Sequence, residues 1–105
     1  MKVWLKIGVV IGEINTPLVG LCEALFTIWE KRNTHAVITS GTEGKHMAGS
    51  LHYENLAWDI RTRNIIDPCE AAKELREALG EDWDILYGDK HHLDHIHAEF
   101  DTKKK

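Results

Sequence analysis

The sequence predicts a compact α+β domain, a mainly antiparallel sheet with two main helices, and three observations carry that expectation. Two stretches place apolar residues at three- and four-residue spacing behind a cap-plus-proline start. Four others are β-rich or alternate apolar with polar residues. Their order, helix, strand, strand, helix, strand, strand, suits a sheet of antiparallel neighbours. The chain has 105 residues, enough for one core and too few for two, so residues 1–105 are read as one domain.

Residues 3–11 are apolar apart from Lys6 and Gly8 and read equally as a short strand or the first turns of a helix. Thr16-Pro17 offers a hydroxyl at the N-cap and a proline at the first helical position. Leu18, Leu21, Cys22, Leu25, Ile28 and Trp29 follow as one stripe, and Lys31-Arg32-Asn33 closes the helix with an Asn suited to a left-handed cap. His35 to Ser40 is β-rich and stops at Gly41. A glycine-bearing loop, 41–50, leads to His52. The next strand runs from about Leu56 to Thr62, with Leu56, Trp58 and Ile60 on one face and Ala57, Asp59 and Arg61 on the other. Small Ala57 is expected to leave open floor beside Asp59. Asp67-Pro68 starts the second helix, Ala71, Ala72, Leu75, Ala78 and Leu79 form its stripe, and Gly80 ends it. Trp83, Ile85 and Tyr87 alternate with Asp84 and Leu86, and the last strand spans His95 to Phe100.

Composition narrows the function. A net charge of −4 with no long basic stripe argues against nucleic acid as the main partner. The apolar N-terminal run is too short to span a bilayer and shows no cleavage site, so neither a membrane span nor a signal peptide is expected. Cys22 and Cys69 lie in the helices and read as buried thiols rather than a disulfide or zinc framework. Six of the seven histidines (His46, His52, His91, His92, His95 and His97) fall in the later part of the chain, the clustering a metal site needs.

Two stretches carry the chemistry. Ser50 to Asp59 sets a histidine and an aspartate seven positions apart, and Asp94-His95-Ile96-His97 lies near the other end. His52, Asp59 and His97 make a three-ligand set for zinc with a fourth position open. In the last strand His95, His97 and Glu99 share a face, so parity alone leaves open whether His95, His97 or both bind metal. A general base is still needed. Asp94 is the first candidate, at a bend or just before the strand; Glu99 competes by parity and Glu54 by closeness to His52. The bland alternative for Asp59 is a plain salt bridge with Arg61.

The pattern S-x-H-x(6)-D followed by a late D-x-x-H, here Ser50, His52, Asp59, Asp94 and His97, resembles the zinc D-alanyl-D-alanine peptidases. That family includes cell-wall carboxypeptidases, D-Ala-D-Ala dipeptidases and phage L-alanyl-D-glutamate endopeptidases. The resemblance runs from about residue 36 to 100, and Ile38-Thr39-Ser40-Gly41 looks like the family's strand before the substrate loop. It implies His52, Asp59 and His97 as Zn2+ ligands, Asp94 as catalytic acid/base, and the fold shared with the hedgehog signalling domain. Two departures stand out. Asn55 replaces the family's usual Gly, and the loop that often carries an arginine offers Lys45 and His46, with His46 a candidate oxyanion stabiliser.

The expected function is therefore a zinc metallopeptidase, a hydrolase that cuts a peptide bond in bacterial peptidoglycan stems as a D,D-carboxypeptidase or an L-Ala-D-Glu endopeptidase. Zinc-bound water would attack the carbonyl and Asp94 would move the protons. A monomeric phage endolysin made in the cytoplasm, whose release onto the cell wall depends on a holin, fits; a chromosomal enzyme fits almost as well. The rivals are a non-catalytic zinc-containing wall or peptide binding module of the same fold and, more remotely, a phosphoesterase.

Overall fold

The computed structural model describes residues 2–12, 14–42, 56–88 and 94–101. Among them the elements run β1 (Trp4–Leu5), α1 (Thr16–Glu30), β2 (Val37–Ser40), β3 (Ala57–Arg61), α2 (Pro68–Leu79), β4 (Trp83–Leu86) and β5 (His95–Phe100). The five strands form one sheet in the order β1-β2-β3-β5-β4. Only β1–β2 is parallel, and α1 supplies the crossover that a parallel pair requires. The other three pairs are antiparallel. The α+β class, the two helices and the mainly antiparallel sheet stand as expected, and residues 4–5 resolve the N-terminal ambiguity as strand.

Both helices begin on side-chain caps. Asn15 Oδ1 accepts from the Leu18 amide at 3.1 Å, so the cap of α1 is Asn15 and Thr16 is already helical, one residue earlier than the Thr16-Pro17 reading. An amide oxygen satisfies the free amide as well as a hydroxyl, and proline is tolerated anywhere in the unbonded first turn. Asn33 takes the left-handed conformation after α1, with φ 58°. Asp67 caps α2 through the Glu70 amide and Gly80 ends it. Glu74 of α2 pairs with Lys31 and Arg32 beyond α1, and those bonds hold its carboxyl below the usual range.

The core lies between the helices and one face of the sheet. Leu18, Leu21, Leu25 and Trp29 of α1 and Ala71 and Leu75 of α2 meet Ile38, Trp58, Ile60, Ile96, Ala98 and Ile85, all of them buried. Period-two alternation then commits the remaining strand positions to the opposite face. That face carries Thr39, Ala57, Asp59, Arg61, His95, His97, Glu99 and Asp84. Ala57 is fully buried, so the expected open floor beside Asp59 is closed. Cys22 is half-buried, its thiol raised by burial and then by Glu23, whereas Cys69 is exposed rather than buried; both are free. Cys69 sits in the first turn of α2, outside the stripe of Ala71, Ala72 and Leu75 that faces the core.

The N-terminal segment is bonded to Thr42. The Val10 carbonyl accepts from the Thr42 amide at 2.7 Å and from its hydroxyl at 3.1 Å. A Cβ on Gly41 would lie 2.3 Å from that carbonyl oxygen, so only glycine fits there. Among the described residues no helix is long and apolar enough to cross a membrane.

Candidate metal centre

The polar sheet face is built by register. Antiparallel pairing sets Asp59 opposite His97, Ala57 opposite Glu99 and Arg61 opposite His95. Directly opposed residues of such a pair have Cβ atoms about 5 Å apart, within reach of a short carboxylate and an imidazole. Asp59 Oδ1 lies 2.8 Å from His97 Nδ1, and Glu99 Oε1 lies 2.9 Å from His97 Nε2. The three side chains are largely shielded, with 13 to 22% of each exposed. Both ring nitrogens therefore face carboxylates, which only accept hydrogen bonds, so both bonds form fully when the ring is protonated. Burial opposes that charge, but the hydrogen bonds and charges of Asp59, then of Glu99, outweigh it and raise the His97 pKa.

His95 occupies the next position on the same face. Its Nδ1 is 2.7 Å from Asp94 Oδ1 and its Nε2 is 3.8 Å from Asp59 Oδ1. Asp94 sits immediately before β5 with its side chain almost wholly exposed, the placement that frees it from strand parity. The hydrogen bond from His95, then its charge, lowers the Asp94 pKa, while the charge of Asp59 pushes the other way. Asp94 thus belongs to the same electrostatic neighbourhood as Asp59.

Of the residues singled out from sequence, Asp59, His97 and Asp94 come together on the polar face of the β3–β5 pair, at the end where β5 begins, with His95 between them. His46 and His52, together with Lys45, Ser50, Glu54 and Asn55, lie outside the described residues. The Asp59–Arg61 salt bridge does not form: Asp59 turns to the histidines opposite it. Residues two apart along a strand are farther from one another than opposed residues across it, so the cross-strand partner wins. At the far end of β5, Asp84, Glu99 and Asp101 bring carboxylate oxygens within 4.8 Å of one another. Sequence reading did not single out this acidic group, although the Asp84–Glu99 pairing follows once β4 is laid beside β5.

Asp59 and His97, two of the three expected ligands, are donors of the types zinc takes. A carboxylate oxygen and an imidazole nitrogen bound tetrahedrally at about 2.0–2.1 Å stand about 3.3 Å apart. Opening the Asp59–His97 contact by about half an ångström reaches that separation, and the ion would replace the shared proton. His97 would ligate through Nδ1, leaving Nε2 to Glu99 in the carboxylate–histidine–metal relay that fixes the ring. Comparison with known proteins gives no matching family model and no matching characterised protein.

Proposed function

We propose that this chain is a zinc metallopeptidase of the D-alanyl-D-alanine peptidase kind, with the hedgehog/DD-peptidase fold, acting on peptide bonds of peptidoglycan stems. The observation that carries the reading is the Asp59–His97–Glu99 row with Asp94 beside it. Two of three expected ligands and the expected proton carrier converge from segments 38 residues apart. His52 completes the ligand set, and His46 is the candidate for stabilising the oxyanion.

Zinc held there supplies Lewis-acid polarisation of the scissile carbonyl and a water acidic enough to react near neutral pH. The chain does the rest. Glu99 fixes the His97 ring by accepting from Nε2, so Nδ1 faces inward. Asp94, a carboxylate that His95 holds below the usual range and that is ionised at neutral pH in any case, takes a proton from the attacking water and passes it to the leaving amine. His95 orients that carboxylate through the 2.7 Å bond. The buried Ala57 side of the sheet keeps bulk solvent from one flank of the Asp59 carboxylate.

The test is to measure zinc in the purified protein and identify by mass spectrometry the fragments it releases from peptidoglycan. About one zinc per chain and a cut stem peptide are expected. Asp94→Ala is expected to keep the metal and lose cleavage. A wild type that binds no zinc and releases nothing in added zinc overturns the reading.

A further inference from the structure

The polar face of the sheet continues past the metal centre to the edge strand β1. Register carries one row of residues across it: Trp4 opposite Val37, Val37 opposite Arg61 by way of the adjacent Ile38–Ile60 pair, and Arg61 opposite His95. Strands stand about 4.8 Å apart, so these three steps put Trp4 about 14 Å from His95. A cleft of about 530 Å³ lies at the Trp4 end of the row, and one of about 850 Å³ at the end with Asp94 and His95. Lys6 and Arg61 are on the wall of both, so the two make one groove.

The Trp4 end is amphipathic. The indole is 53% exposed and tilts at 42° to the His35 ring, 5.7 Å away between centroids; Val37 and Ile7 line the same cleft. Uncharged polar groups surround this apolar floor. Asn64 Nδ2 donates to Thr34 Oγ1 at 3.0 Å and to the His35 carbonyl at 2.9 Å, which fixes the residues that lead into β2. The Thr34 hydroxyl hydrogen, the Trp4 Nε1–H and the His35 ring nitrogens have no hydrogen-bond partner among the described residues. An apolar side chain seated there would cover the floor but leave the desolvated rim unpaired. A pyranose ring suits both parts, with a face of C–H groups for the indole and hydroxyls for the rim.

We propose that the Trp4 cleft is a saccharide subsite, which holds a sugar of the wall glycan joined to the stem peptide being cut. An extended chain advances about 3.3–3.6 Å per residue, so about four residues link the two ends of the groove. One glycopeptide thus fills the sugar subsite and reaches Asp94 at the same time. The inference rests on the peptidase reading and deepens it: the substrate is stem peptide still attached to its sugar, in preference to free peptide.

Kinetics of the full zinc-loaded chain test it on one stem pentapeptide carrying either N-acetylmuramic acid or a plain acetyl group at its amino end. The sugar-linked form is expected to be cut with about 10-fold higher kcat/KM, the equivalent of one aromatic stack, mainly through KM. In Trp4→Ala that ratio is expected to fall to within about two-fold of one, and Trp4→Phe, which keeps a ring, to retain part of it. A wild-type ratio within about two-fold of one overturns the subsite while cleavage upholds the peptidase. A Trp4→Ala loss equal on both forms assigns the cleft to a peptide side chain and likewise overturns the saccharide. A second readout needs no turnover: a trimer of N-acetylglucosamine titrated against the four indole Nε1–H NMR signals, with that of Trp4 assigned by its absence in Trp4→Phe. Where no bond is cut, a saturable shift at Trp4 supports the subsite and an unmoved signal overturns it.

Discussion

Replacing Asp59 by alanine removes one of three proposed ligands and, in the metal-free protein, the carboxylate that faces His97 Nδ1 at 2.8 Å. Four-ligand zinc sites bind with about 10–16 kcal/mol, or about 2.5–4 kcal/mol per ligand if shared evenly. At about 1.4 kcal/mol per decade, loss of one ligand weakens zinc binding about 10²- to 10³-fold. Asp59 is 15% exposed and lies on the polar face, so the methyl left behind opens no core cavity and the fold is expected to survive. Competition with a chromophoric chelator near pH 7.5 reads the affinity, and melting in excess chelator reads the metal-free fold. Wild-type zinc affinity in Asp59→Ala, with melting also unchanged, would refute the assignment of Asp59 as a ligand.

Two further outcomes follow from the same geometry and from the core. Because the His97 pKa is raised, its protonated ring stabilises the metal-free protein fully below the unfolded value of about 6.5, and that contribution is lost as pH rises through the folded value. Zinc must displace the same proton, so its affinity is expected to climb with pH across that interval; chelator competition at stepped pH, with a flat profile as the refuting result, checks this. Ile96→Ala empties a fully buried position on the interior strand β5 and is expected to cost about 2–5 kcal/mol in urea unfolding. A loss below about 1 kcal/mol would mean that the core is not organised around that strand.

The last strand was legible to the residue because His-Ile-His-Ala-Glu-Phe alternates without interruption, and one face must be apolar to close the core. Helix α2 was equally plain, since Asp67-Pro68 and Gly80 act through local backbone geometry. The cap of α1 was read one residue late because Asn15 and Thr16 are both competent acceptors, and only the folded turn selects between them. The parallel pairing of β1 was hidden: two residues of strand carry no period, and their partner lies beyond a whole helix. The one-residue register shift between Ile38 and Ser40 likewise depends on packing that no local pattern encodes. At the site, parity placed His97 with Glu99. Which nitrogen meets which carboxylate, and that the Arg61 side chain has no partner among the described residues, are properties of cross-strand register.

The Val10–Thr42 clasp bears on how the protein is handled. Two hydrogen bonds converge on one carbonyl at the last described residue before 43–55, the stretch that carries His46 and His52. Residues 2–12 pack Val3, Val9 and Ile11 against the core and, through Val10, fasten Thr42. An affinity tag fused at the amino-terminal side, or a shortened N-terminus, therefore bears on the bonds that hold Thr42, next in sequence to the stretch that carries the proposed ligand His52.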